Sequence, residues 1–240
     1  MTANKVLNRK SSSSIMTIIL FNFLLILSVT QSHAHLFKND NMCNATREVL
    51  CVKDVFAIMN KTIENISRAA IKTEKLILAR NRKIYDTFNR YVNFEIDFID
   101  SRLPDDKYHV NFSKTSNDIH RGDLIDLLLE GHDAMSFYYN SINRILHMNN
   151  VFSSETNKLL NQIHNHLQYH MICQYRNVLN VYSYEWKSIH LIKRIPFSTI
   201  NHTISLSLIH DVHSIIFVRL LNEWMPKIQS VMINVEGRLV

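Results

Sequence analysis

Glycine and proline are nearly absent from this chain. Among 240 residues there are three of each, and no glycine comes before Gly122. A β-sandwich or barrel of this length would turn many times, and turns lean on Gly, Pro and Asn-Gly pairs. The shortage excludes such a fold and predicts long helices with few connections. Enzyme signatures are missing too. There is no G-x-S-x-G, no P-loop, no G-x-G-x-x-G and no nucleophilic Cys/His context, so no catalytic residues are expected. No apolar run after residue 30 is long enough to cross a bilayer, which takes ~20 such residues. Cysteine is limited to Cys43, Cys51 and Cys173. In an oxidising compartment three cysteines give one disulfide and one leftover thiol, and the spacing does not choose the pairing. A bridge from Cys43 or Cys51 to Cys173 closes the longest loop and constrains the unfolded chain most.

What is present begins at the amino terminus. Lys5, Arg9 and Lys10 precede the apolar run 15–29, and Ser32-His33-Ala34 comes after it. Positive start, short apolar run and small-x-small ending are the order of a secretory signal peptide. Residues 1–34 are therefore expected to be removed, leaving a secreted domain of residues 35–240. Five N-x-S/T sequons, at Asn44, Asn60, Asn65, Asn111 and Asn201, predict a glycoprotein. Without the three signal-peptide cations, Lys+Arg falls from 27 to 24 against 21 Asp+Glu, a net charge of +3. That balance does not support general nucleic-acid binding.

From Asn44 to Arg102 there is no Gly or Pro, and Val52, Phe56, Met59, Ile63, Ile66 and Ala70 recur at helical steps. The pattern resumes at Ile77, Ile84, Phe88 and Tyr91. It predicts one long helix to about residue 82, then a bend or second helix to about 100. Asn60 and Asn65 fall off the stripe, so their sugars would point outward. Residues 101–122 are polar, contain Pro104 and read as a long connection. Asp123 is expected to cap a second helix running to about His147, with Leu124, Leu128, Met135, Ile142 and Ile145 or Leu146 inward. After a short break at Ser153–Thr156, a third helix runs to about Ile192. Its stripe is Leu160, Ile163, Leu167, His170 or Met171, Gln174, Val178 and Val181. Pro196 and the Asn201 sequon mark the next connection, and residues 203–208 alternate like a short strand. The fourth helix spans about Ser207 to Val235, and Pro226 is expected to kink or end its first half.

The connections read long, short, long. A short link joins antiparallel neighbours, whereas long ones let the chain cross a bundle and restart from the same end. The expected fold is all-α, an up-up-down-down four-helix bundle with long A–B and C–D connections. In this organisation the chain resembles the long-chain helical cytokines, including the interleukin-6-like, growth-hormone-like and insect unpaired ligands. The resemblance implies a secreted ligand that binds a cell-surface receptor through helix faces. It covers residues 35–240 and transfers no individual residue. The extra segment 84–100 departs from a plain four-helix plan. The alternative is a secreted helical carrier or effector that binds a small molecule or a host protein.

Several residues are candidates for contact. Lys72, Lys75, Arg80, Arg82 and Lys83 form a basic patch offset only by Glu74, suited to a sulfated glycan or an acidic receptor face. The fourth helix carries apolar groups almost all round it, Ile215 to Leu221 among them, so a receptor face is expected there at Phe217, Leu221 and Trp224. Burial under a crossover segment or under residues 84–100 explains the same pattern. Arg121-Gly122-Asp123 is an integrin-type tripeptide, and Gly-Asp before a helix is also ordinary cap chemistry. His166 and His170 stand at i, i+4, a spacing that can hold Zn²⁺, with His164, His210 and His213 as further candidates. No H-E-x-x-H base accompanies them and histidine is common throughout, so neither metal nor cofactor is assigned. Arg80-Asn-Arg-Lys83 and Lys193-Arg194 resemble processing sites but are expected within or at the ends of helices, where proteases reach poorly.

Overall fold

The computed structural model describes residues 43, 51–148, 154–182 and 205–239. All but Cys43 belong to one compact unit, 45–240. The signal segment, the sequons at Asn44 and Asn201, Pro196 and Lys193-Arg194 lie outside the described residues. Every element described is helical: α1 (Val52–Arg80), α2 (Tyr85–Ile99), α3 (Lys107–Lys114), α4 (Arg121–Leu146), α5 (Ser154–Asn165), α6 (Cys173–Tyr182) and α7 (Leu206–Asn234). A π-helical stretch, His166–Ile172, joins α5 to α6 into one rod. No helix among the described residues is long and apolar enough to cross a membrane. Cys173 is disulfide-bonded, and Cys51 is a free, exposed thiol.

α1 keeps to its apolar stripe. Phe56, Met59, Ile63, Ile66, Ala70 and Ile77 are all buried. It stops where Asn81 folds back, donating from its backbone N and its Nδ2 to the Ile77 carbonyl at 3.0 and 2.9 Å. A 3₁₀ turn at Arg82–Ile84 then resets the helical phase. In α2 the buried positions are Phe88, Val92, Glu95 and Ile99, so Ile84 is exposed and Tyr91 only half-buried rather than inward. Within the expected polar connection 101–122 lies α3, with His109 and Phe112 buried. Its first turn is capped from outside, because the Glu130 carboxylate of α4 accepts from the backbone N–H groups of Tyr108 and His109.

α4 starts earlier than Asp123 suggested. His120 is the N-cap, and Asp123, inside the first turn, accepts from the His120 backbone N at 3.3 Å, completing a capping box. Leu124, Leu128, Met135, Ile142 and Ile145 are buried as expected, and Leu146 is only half-buried. In the third rod Leu160, Ile163, Leu167, Met171 and Val178 are buried, but Tyr175 replaces Gln174 inside, and His170 and Val181 are exposed. The π turn adds a residue to the helical ladder and rotates α6 relative to α5. Tyr175 fits because its neighbour has no side chain. A Cβ on Gly131 would lie 2.4 Å from the Tyr175 hydroxyl.

Ser205 caps α7, accepting from Leu208 N at 3.3 Å. Residues 205–208 are helix start rather than strand. The helix continues through Pro226, which neither ends it nor is buried. At an exposed position, the carbonyl left without its N–H partner can turn to water.

Contacts fix how neighbouring helices run. Between α1 and α7 the pairs are Asn60 with Gln229, Glu74 with Arg219 and Arg80 with Asp211. Numbers rise on one helix as they fall on the other, so the two are antiparallel. Between α4 and the third rod the pairs are Arg121 with Tyr182, His132 with Arg176 and Tyr139 with Gln168, again antiparallel. Both α1 and α4 pack on α7 and on the third rod. α2 and α3 also pack on α7.

Candidate interaction surfaces

The apolar middle of the fourth helix is not a surface. Phe217 is 2 % exposed, Leu221 0 % and Trp224 4 %, so the expected receptor face of α7 lies in the core. A helix apolar all round is a buried helix. Here α1, α2, α3 and α4 all pack against it. Phe217 meets the Phe137 ring edge-on at 6.1 Å. Trp224 receives the His109 ring at 5.3 Å.

His109 is the hinge of a buried polar clasp. Its Nδ1 lies 2.7 Å from Glu130 Oε2, and its Nε2 finds no hydrogen-bond partner among the described residues. Lys227 of α7 pairs with Asp106 at the α3 cap and lies 5.3 Å from the Trp224 ring. Beyond α7, Arg238 stacks over Phe112 at 4.0 Å and donates to the Phe112 and Asn117 carbonyls at 2.9 Å. The clasp ties the 107–119 segment over α7. It is a fastening, not a site.

A second polar knot joins the end of α1 to the start of α7. Asp211, 3 % exposed, accepts from Arg80 Nε at 3.0 Å and from Asn81 Nδ2 at 2.8 Å. Burial pushes its carboxyl up, but hydrogen bonds from His210, Asn81 and Arg80 outweigh that and hold it below the usual range. Next to it on α7, burial pulls His213 down to about 3, with Arg144 and His210 adding repulsion.

The histidines do not gather. His166 and His170 face each other with ring centroids 5.6 Å apart. His164 points elsewhere, stacked on Tyr139 at 4.1 Å. His210 and His213 belong to α7. Among the described residues no group of three or more His, Cys, Asp or Glu side chains could hold a metal ion.

The Arg121-Gly122-Asp123 tripeptide forms the first turn of α4. Arg121 donates to the Tyr182 carbonyl, from Nε at 2.9 Å, and Asp123 closes the capping box. Both charged ends are engaged within the chain, and residues two apart on a helix do not face the same way. The turn therefore does not present Arg and Asp together to an integrin.

Sequons differ in access. Asn111 on α3 is exposed. Asn65 is half-buried and accepts from Arg68 at 2.6 Å. Asn60 is turned toward α7, its Oδ1 accepting from Gln229 at 3.1 Å, rather than pointing outward.

Two further surfaces stand out among the described residues. One is the outer face of α2, where Phe94 is 58 % and Phe98 44 % exposed. They stand at i, i+4, and the Arg102 guanidinium lies 5.8 Å from the Phe98 ring. The pattern Ile84, Phe88, Tyr91 continued the phase of α1 and so passed over these residues. The signal was present: Phe88, Val92, Glu95 and Ile99 make a cleaner inward stripe and leave both phenylalanines outside. The other surface is basic. Lys72 and Lys75 are exposed on α1, and Arg82 and Lys83, in the turn after it, are exposed too. Lys72 pairs with Glu155 at 2.9 Å. Lys75, Arg82 and Lys83 form no ion pair among the described residues.

No family model matches the sequence, and comparison with curated proteins and with solved structures finds no match either.

Proposed function

We propose that this chain is a secreted, glycosylated helical ligand that engages a cell-surface receptor through the outer face of α2. The observation that carries the reading is the exposed Phe94–Phe98–Arg102 group. Large aromatic and arginine side chains supply most of the binding energy at protein interfaces. Side by side on a rigid helix they are costly to leave in water unless a partner covers them. The proposed receptor face thus moves from α7 to the helix that covers it.

The bundle topology belongs to the same reading. Phe137 of α4 meets Phe217 of α7, and Ile119 just before α4 bridges Leu239 beyond α7, which supports an antiparallel run of α4 and α7. With α1 also antiparallel to α7, and the third rod antiparallel to α4, these contacts favour an up-up-down-down order. This supports the likeness to long-chain helical cytokines, with α2 and α3 forming an elaborated first crossover.

The test uses the secreted protein, fluorescently labelled, on cultured cells of its own source. Replacing Phe94 and Phe98 with Glu should cut saturable cell binding at least tenfold with the melting temperature unchanged. Normal binding by a folded F94E/F98E variant removes α2 from the interface. Absence of any saturable binding by the unaltered protein counts against a ligand. A small molecule co-purifying in the native mass spectrum would favour the carrier alternative.

A further inference from the structure

We propose that the corner between α1 and α2 is a binding site for a sulfated polysaccharide. Residues Ala79, Arg80, Asn81, Arg82, Lys83 and Ile84 line an open depression of ≈ 660 Å³. Its charge is not spent internally. Arg80 is committed to Asp211, but Arg82 and Lys83 are exposed and form no ion pair among the described residues. Lys75 continues the array up α1. So does Lys72, whose pair with Glu155 is exposed on both sides and exchanges readily for another anion.

The form of the array selects the class of ligand. From Lys72 to Lys83 the cations run along a helix end, rising about 1.5 Å per residue along α1. They make a line of like charge rather than a closed pocket. A linear polyanion gains by placing successive sulfates along such a line and releasing its condensed counterions. The exposed apolar side chain of Ile84 (44 %) gives a sugar ring a surface to rest on. An acidic peptide would want backbone hydrogen-bond partners along its length. At the folded-back end the Ile77 carbonyl is already taken, accepting twice from Asn81. The site does not depend on the receptor reading, since it lies on different residues from Phe94 and Phe98.

The experiment measures retention of the full secreted protein on immobilised heparin, and on a sulfonate exchanger of matched charge density. Three forms are compared: unaltered, the corner variant K75Q/R82Q/K83Q, and a control with the same charge removed elsewhere, K53Q/K107Q/K114Q. All six positions are exposed, and circular dichroism confirms that each form is folded. The unaltered protein should need clearly more salt to leave heparin than to leave the sulfonate. The corner variant should lose that difference, while the control keeps it. The slope of log affinity against log salt should fall by about 2–3 for the three lost contacts. Equal loss in both variants, or loss in neither, overturns the site. Displacement by polyglutamate as effective as displacement by heparin of equal charge also overturns it, because the corner would then read charge and not a sulfated sugar.

Discussion

α1 and α7 are the same length, 29 residues each, and lie antiparallel side by side, yet they bury their side chains in opposite styles. α1 puts one stripe inward and gives its outer face to Lys61, Lys72 and Lys75, all exposed. α7 from His210 to Leu221 has only His213 and Arg219 not fully buried. The difference comes from the number of neighbours. α1 is an outer wall. α7 is a central post, packed on by α1 and α4 and also by α2 and α3. An all-round apolar helix within a bundle thus reports a roof made elsewhere in the sequence, here by the segment between the first and second long helices.

The sharpest way to break this comparison is to truncate one side chain on each helix. Leu221→Ala should cost about 2–5 kcal/mol, the range for a fully buried leucine whose cavity cannot collapse. Lys75→Ala, exposed on α1, should stay within about 0.5 kcal/mol. Urea unfolding of both variants measures it. A Leu221→Ala cost below about 1 kcal/mol would mean that α7 has an open side and that the roof of α2 and α3 is not closed over it.

This contrast also marks what sequence alone revealed. The all-helical class and the bounds of α1, α4 and α7 were legible to within a few residues, because each rests on local signals: period, capping residues and scarcity of Gly and Pro. Whether the apolar surface of α7 is a receptor face or lies under the crossover and residues 84–100 was left open by the sequence, and the structure shows the second. The cover of α7 depends on α3, whose eight residues hide in a polar stretch behind Pro104, and whose N-terminal cap comes from Glu130 on another helix. The Asp105-Asp106 pair ahead of it was the available cue. The phase slip in the third rod was equally hidden. No residue type announces a π turn, and only Gly131 opposite Tyr175 betrays the change of register.

Charge pairs offer a second, smaller contrast between buried and exposed. Arg80→Ala leaves the Asp211 carboxylate buried with one partner fewer. It should cost about 1–3 kcal/mol at neutral pH, less than a fully buried pair because Arg80 is about a third exposed. The cost should fade in acid. The folded carboxyl titrates below the unfolded one, so its contribution is present above about pH 4 and is lost as pH falls further. A pH-independent cost would show that Arg80 acts by packing alone.

His213 makes the burial of α7 readable by pH. Its folded value is about 3, whereas an unfolded histidine titrates near about 6.5. Between these values the unfolded chain binds the extra proton, so stability is full above about pH 6.5 and declines as pH drops. This one group contributes a slope of up to about 1.4 kcal/mol per pH unit. His213→Gln cannot take up the proton. Its stability should therefore change less steeply between about pH 6.5 and 4.5 than that of the unaltered protein. Parallel curves for the two would mean that His213 takes up its proton as readily in the folded chain as in the unfolded one, and that burial at the start of α7 does not hold it neutral.

The smallest effect is expected on the outer wall. Lys72 and Glu155 join α1 to α5 at 2.9 Å, with side chains 57 % and 52 % exposed. Two flexible side chains in water gain little from pairing, because solvent screens the attraction and fixing them costs conformational freedom. A double-mutant cycle with Lys72→Ala and Glu155→Ala should give a coupling of about 0–1 kcal/mol, shrinking further in about 0.5 M salt. The cycle separates this pair from the knot at Asp211, since both link α1 to a neighbouring helix and differ mainly in burial. A coupling as large as the Arg80 effect would mean that exposure is not what distinguishes the two contacts. In that case Lys72 would be fixed to Glu155 and could not serve the polyanion line along α1.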